Sequence, residues 1–216
     1  MKFCSVCGSL NVKKIPEGDN RERYCCENCG AIHYSNPKII VGTVPVKEDS
    51  ILLCKRGIEP RYGKWTLPGG FLENGETVSE GAFRETFEET NTKVEMGELY
   101  AIFNVPQINQ VYMLYLAEVI KDDFSATSES LDVKLFNEKE IPWDKLAFPF
   151  VPIVLRKFFS DHIKGDYPLS THTIERKRQP ESINSLALLK KEIQGLYNSQ
   201  SSGLHDNWSF KKALSG

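Results

Sequence analysis

The sequence predicts a mixed α/β or α+β domain with a small metal-stapled ribbon in front of it. Four of the six cysteines fall in two Cys-x-x-Cys pairs within the first thirty residues. After them, short apolar and β-branched runs alternate with two stretches of helical periodicity. The pattern divides the chain into a ribbon at 1–34, a catalytic-sized domain at 35–165 and a polar tail at 166–216.

Cys4 and Cys7 form the first pair and Cys26 and Cys29 the second, with Gly8 and Gly30 just after them. Two-residue gaps let both thiolates of a pair point at one tetrahedral Zn²⁺, and the glycines allow a tight turn behind them. Thirty residues cannot bury enough apolar surface to fold alone, so zinc binding, worth about 10–16 kcal/mol in finger peptides, would be folding energy. Four thiolates leave no open position for water, which makes the expected site structural. Cys25 is a register alternative to Cys26, but only Cys26 keeps the gap to Cys29. His33 is a further possible ligand, and nucleic-acid binding by the ribbon stays open.

From Pro37 onward, runs at 39–46 and 51–54, separated by Lys47-Glu48-Asp49-Ser50, read as a hairpin. A short strand at 65–67 leads into Pro68-Gly69-Gly70, read as a turn, and Asn74-Gly75 marks another. Thr77-Val78-Ser79-Glu80 has the capping-box form and starts a helix expected over 78–90. Asn91 stands where the helix should stop in the left-handed conformation. Runs at 99–105, 111–120 and 131–136 read as strands, and 151–163 as a helix with Pro152 near its start. Beyond Gly165 the chain turns polar, basic over 173–178 and linker-like over 199–203, with a possible amphipathic helix at 183–197. No role follows for that tail.

With 27 lysines and arginines against 29 acids, a formal charge of -2 gives no general reason to expect nucleic acid or an anionic membrane as partner. No run approaches the roughly 18 apolar residues of a membrane span, and the first residues show no apolar export region. The expectation is a cytoplasmic protein working on a small molecule.

Glu85, Glu88 and Glu89 stand at i, i+3 and i+4, so their carboxylates share one side of the expected helix with Gly81 and Ala82. Phe83 and Phe87 fall opposite, on the side expected to pack into the core. A run of charges on a helix is usually a solvated face. A Pro-Gly-Gly segment just before it would allow close backbone approach to a phosphate or metal, and carboxylates are the oxygen ligands Mg²⁺ prefers.

The spacing Gly70-x5-Glu76-x7-Arg84-Glu85-Thr86-Phe87-Glu88-Glu89 resembles the Nudix box, G-x5-E-x7-R-E-U-x-E-E-x-G-U with U aliphatic. Thr86 and Thr92 occupy the two U positions and Asn91 replaces the glycine, departures that touch packing and helix termination. The resemblance implies a Nudix αβα sandwich with a mixed sheet. It also implies Mg²⁺ or Mn²⁺ held by Glu85 and Glu89, with Glu88 as a further or water-mediated ligand and Gly70 contributing its carbonyl. In the same reading Arg84 orients Glu85. Glu129, in Ser-Glu-Ser-Leu-Asp, aligns with a distal glutamate that serves as base in zinc-ribbon members, though an exposed loop acid reads equally well.

Together with the ribbon and His33-Tyr34-Ser35-Asn36-Pro37-Lys38, the box resembles the zinc-ribbon branch of that family. NADH diphosphatases of the branch carry Ser-Gln-Pro-Trp-Pro-Phe-Pro where this chain has Ala-Ile-Phe-Asn-Val-Pro-Gln-Ile-Asn-Gln at 101–110. Lys64-Trp65-Thr66-Leu67-Pro68, Glu129-Ser130-Leu131 and Glu140-Ile141-Pro142-Trp143 look instead like the plant type that hydrolyses FAD and ADP-ribose. Phe103, Tyr112 or Tyr115 could stack on a substrate ring, although an aromatic on a strand is more often core. Relatives commonly form homodimers. Competing readings are an NADH diphosphatase, a capped-RNA hydrolase guided by the ribbon or by Arg176-Lys177-Arg178, and a non-catalytic nucleotide sensor. An isopentenyl diphosphate isomerase would need more than Cys54.

Overall fold

The computed structural model describes residues 1–175, so the amphipathic segment 183–197, the linker-like 199–203 and Arg176-Lys177-Arg178 lie outside the described residues. Among the described residues no helix is long and apolar enough to cross a membrane.

The ribbon is a three-stranded antiparallel sheet of β1 (Asn11–Lys14), β2 (Arg23–Cys26) and β3 (Ile32–His33). Its two Cys-x-x-Cys segments fold into the same knuckle. Gly8 N–H donates to the Cys4 carbonyl and Gly30 N–H to the Cys26 carbonyl, each at 2.9 Å. Both glycines have φ of +74°, where a side chain would be strained. Cys25 points elsewhere, its thiol 3.7 Å from the Arg23 carbonyl, which removes the register alternative.

The second domain begins with β4 (Lys38–Lys47) and β5 (Ser50–Arg56), the expected hairpin. The two strands pair directly only at the turn, through Val46 with Ile51 and Lys47 with Ser50, and then part. Short strands fill the fork: β6 (Trp65–Thr66) pairs with β5, and β7 (Gly69–Phe71) with β4. The Gly-Gly pair is therefore strand and not the turn expected from the sequence. A Cβ on Gly42 would lie 2.3 Å from the Pro68 carbonyl oxygen, and one on Gly69 would lie 2.6 Å from that of Val41. Glycines on both strands permit this close backbone approach.

The helix α1 (Val78–Thr90) follows, with the Thr77 and Glu80 capping box formed and Asn91 closing it at φ of 54°. Next come β8 (Val94–Val105), β9 (Gln110–Val119) and β10 (Ser130–Phe136). Then α2 (Phe150–Lys164) ends at left-handed Gly165, and β11 (Ser170–Thr173) follows. The sheet runs β10-β5-β4-β9-β8-β11. It is mixed, because β4 lies parallel to β9 and β11 parallel to β8 while the other neighbours are antiparallel. The sheet thus continues past residue 165, where the sequence reading closed the domain: Ser170–Thr173 is its edge strand.

Alternation along β4 sorts the layers. Val41 touches Gly81 and Thr43 Oγ1 lies 2.7 Å from Thr86 Oγ1, so this face carries α1. Val44 packs on the other face with Leu53, Phe103, Leu114 and the α2 residues Val151, Val154, Leu155 and Phe158. That larger core fixes the sheet, and α1 lies over the opposite side at the fork.

One expectation for α1 is corrected. Its buried stripe is Gly81, Ala82, Glu85, Thr86, Glu89 and Thr90, and Phe87 is 40% exposed, whereas half-buried Phe83 does pack, as expected, against a second core cluster of Leu52, Cys54, Val94, Ala117, Val119 and Val133. The small residues allow close approach to β4, and that approach carries two glutamates inward with it.

Candidate active site

Glu89 is 4% exposed, and its Oε2 accepts the Gly69 N–H at 2.9 Å and the Cys54 thiol at 3.5 Å. Burial pushes its carboxyl up to about 7, against the pull of those two donors and of the Arg56 charge. Glu85 lies against Gly70, where a Cβ would meet its carboxylate at 2.3 Å. Burial pushes the Glu85 carboxyl above its ordinary range too, Arg84 pulls it down, and the charges of Glu88 and Glu129 add to the rise. Two carboxylates held in a site that disfavours their charge are suited to receive a cation, since binding one restores the ionised form.

Arg84 organises the acids. Its Nε and Nη2 grip both oxygens of Glu76 at 3.0 and 2.7 Å, and Nη1 bridges Glu85 at 2.8 Å and Glu88 at 2.9 Å. Nη2 also donates to the Phe71 carbonyl at 3.1 Å, which ties α1 to β7. Arg84 was expected to orient Glu85; its bidentate hold on Glu76 was not foreseen, although Glu76 is a fixed position of the box.

Glu76 also accepts the Glu73 N–H at 2.8 Å, and with the Arg84 guanidinium this holds its carboxyl at about 2, down from 4.5. A folded-state value below the unfolded one contributes stability at neutral pH that is lost as pH falls from about 4.5 towards 2. Glu76→Gln is therefore expected to lower Tm at pH 7, with the difference from wild type narrowing across that acid range. Melting curves of both proteins from pH 7 to 3 check it; a constant difference would mean the ion pair does not carry the loss.

Glu88 is the most open of the three clustered glutamates, its side chain 47% exposed, and it is held to Glu85 through Arg84. Glu129 is an exposed loop residue just before β10. Its charge reaches Glu85, and its backbone carbonyl accepts the Gly57 N–H at 2.7 Å. Ser130, next in the chain, donates to the Glu89 carbonyl at 2.6 Å and so fixes this loop beside the end of α1.

The aromatic candidates separate. Phe103 has no exposed surface, its ring 5.4 Å from Phe150 and stacked at 4.9 Å on His172. It is core and cannot receive a substrate ring, because α2 covers that face of β8 and the His172 ring of the neighbouring strand β11 lies against it. Tyr112, paired across strands with Phe103, is half-buried against Phe150 at 4.6 Å, and burial pushes its phenol above the ordinary value. Tyr115, an odd number of residues away on the same strand, points to the α1 face.

The four cysteine sulfurs of the ribbon all lie within 4.8 Å of one another, with Cys4 to Cys29 at 3.7 Å and Cys7 to Cys26 at 3.5 Å. A tetrahedron with metal–sulfur bonds of about 2.3 Å has edges of about 3.8 Å, so the spacing fits one ion. His33 does not join the four but sits behind Cys4, its Nε2 at 3.3 Å from the sulfur.

Residues 36–158 match the model of the NUDIX domain, and residues 2–35 that of the Nudix N-terminal family. A solved NUDIX hydrolase from Nitrosomonas europaea is 49% identical, with a TM-score of 0.79 over 82% of this chain and 100% of that one. An ADP-ribose pyrophosphatase from Methanocaldococcus jannaschii is 31% identical over 56% of this chain and 73% of that protein. The NAD-capped RNA hydrolase NudC of Vibrio parahaemolyticus is 31% identical over 66% of this chain, which spans only 53% of that relative.

Proposed function

The chain belongs to the Nudix family, and on that premise we propose that it hydrolyses the diphosphate of a nucleotide conjugate, FAD or ADP-ribose first, and releases AMP. The observation that supports this most is the pair of buried carboxylates, Glu85 and Glu89, beside the Gly69–Gly70 backbone at the fork of the sheet.

Glu85 and Glu89 would hold Mg²⁺ or Mn²⁺, with Glu88 as a further or water-mediated contact and the Gly70 carbonyl as an added ligand. When bound, the divalent ion neutralises diphosphate charge and acidifies a water, so that hydroxide is available near neutrality. Arg84 keeps Glu85 and Glu88 aimed into the groove. Glu129, on the loop that Ser130 anchors, is the base of this reading and would take the proton of the attacking water; its charge acting on Glu85 supports that role. Tyr112 would offer its ring edge to the substrate, and Phe103 takes no part. The ribbon holds a structural Zn²⁺, and a homodimer in the cytoplasm completes the proposal.

The test is incubation of the purified chain with Mg²⁺ and FAD, ADP-ribose, NADH or an NAD-capped RNA, the products identified by mass. AMP from FAD or ADP-ribose is the expected result. The resemblance to the Vibrio hydrolase supports a second reading, and cleavage of the RNA alone would put it first. A nucleotide that bound without being cut would leave a sensor.

A further inference from the structure

Arg56, at the end of β5, is 8% exposed and makes no ion pair with the described residues. Arginines this buried are normally matched by a carboxylate, because an uncompensated charge away from water is costly. Its Nε donates to the Pro60 carbonyl at 2.8 Å, and its guanidinium carbon lies over the Phe148 ring at 5.2 Å. These contacts fix the plane of the group. The two terminal nitrogens have no acceptor among the described residues, and neither is sealed from solvent. Four N–H bonds are thus held in place without a protein acceptor among the described residues, in space that solvent reaches.

That space adjoins the acidic groove. Arg56 follows Cys54 by two positions on one strand, so both project from the same face, and the Cys54 thiol touches Glu89. Ser130 is the partner of Arg56 across the β10 and β5 pairing and also binds the Glu89 carbonyl. The Arg56 charge acts on Glu89 from one side and on Tyr112 from the other. The nearby cation Arg84 is already engaged by Glu76, Glu85 and Glu88. An anionic substrate approaching these carboxylates therefore meets repulsion that Arg84 cannot offset.

We propose that Arg56 binds the substrate diphosphate directly, its unengaged guanidinium edge receiving phosphate oxygens beside the metal-holding glutamates. The ligand chemistry is a diphosphate, either inside a nucleotide conjugate or as inorganic pyrophosphate. A planar guanidinium matches two phosphate oxygens at once, which an ammonium cannot. The assignment rests on the hydrolase reading above, and Arg56 had no role in the sequence reading.

The experiment compares wild type, Arg56→Gln and Arg56→Lys as full chains. It measures Mn²⁺ binding alone by electron paramagnetic resonance, magnesium pyrophosphate binding by calorimetry, and KM and kcat for ADP-ribose. Arg56→Gln is expected to weaken pyrophosphate about 10-fold or more and raise KM for ADP-ribose, with Mn²⁺ affinity unchanged. Arg56→Lys should fall between the two, since it keeps the charge and loses the planar edge. A folded Arg56→Gln with wild-type pyrophosphate affinity overturns the proposal, as does parallel loss of Mn²⁺ binding, which would mark a role in holding Glu89. Should Arg56→Gln not fold, Arg56→Lys decides, and full pyrophosphate affinity in it overturns the proposal. Wild type that binds pyrophosphate through Arg56 but cleaves no diphosphate ester would sink the hydrolase reading and leave this assignment standing.

Discussion

Glu89→Gln is expected to cut turnover by more than about 100-fold while the protein melts, without added metal, at or above the wild-type temperature. Residues that merely orient a metal ligand already cost about 10–100-fold when replaced, and Glu89 is assigned as a ligand itself. The amide keeps an oxygen for the Gly69 N–H and nearly the same volume, so packing around a side chain 4% exposed is preserved. Burial raises the Glu89 carboxyl to about 7, so at pH 8 the metal-free fold holds a charge it disfavours, and the neutral amide removes that penalty. Lost activity with retained stability would separate a ligand from a structural residue. Kinetics, Mn²⁺ titration and melting curves on the same samples check this, and near-normal turnover would dispose of the metal assignment.

The same buried position explains what could be read in the chain beforehand and what could not. Thr77, Glu80 and Asn91 act on backbone within one helical turn, and so the limits of α1 are legible locally. The face of α1 that meets the sheet is not. Spacing alone set the glutamates against the phenylalanines and gave the core to Phe83 and Phe87; Phe83 does reach a core cluster, but Phe87 does not, and Gly81 and Ala82 let the helix press against β4 on the glutamate side. The sheet order depends on contacts such as Lys38 with Gln110, more than seventy positions apart, which no local period reports. β11 is Ser-Thr-His-Thr, polar because it is an edge, and the bulged start of β8 alternates too poorly to read as strand.

Within the site, residues fixed by spacing were readable and residues fixed by tertiary approach were not. The two cysteine pairs and the run from Glu76 to Glu89 carry their geometry in sequence intervals. Phe103 and Tyr112 were equal candidates, since both are aromatics on strands, and only the packing of α2 and of the His172 ring from the neighbouring strand distinguishes them. Arg56, beside Lys55 at a strand end, had no place in the sequence reading. Its period-two relation to Cys54 was a usable signal, but it acquires meaning only once Cys54 is known to touch Glu89.

Stripping the ribbon metal, or substituting Cys26→Ser, is expected to unfold residues 1–34 and leave the second domain folded. The ribbon buries Cys4, Cys25 and Cys26, while Phe3, Val6, Leu10, Ile15 and Tyr34 are more than half exposed. With so little apolar surface inside, a metal bound by the four thiolates would have to hold the knuckles, and a contribution of about 10–16 kcal/mol would be as large as the whole stability of an ordinary domain. The contacts that place Glu85, Glu88 and Glu89 come from Gly69, Gly70, Cys54 and Arg84, none of them in the ribbon. Hydrogen exchange should therefore rise to unfolded rates at the amides of β1 and β2 while those of α1 and β4 stay protected. Hydrolysis should return when Mg²⁺ alone is restored to the chelated protein. Zinc added back should restore protection in wild type and not in Cys26→Ser. Persistent protection of β1 and β2 after complete metal removal would mean that the antiparallel pairing of Asn11–Lys14 with Arg23–Cys26 holds without its metal, and the structural assignment of the four cysteines would be wrong.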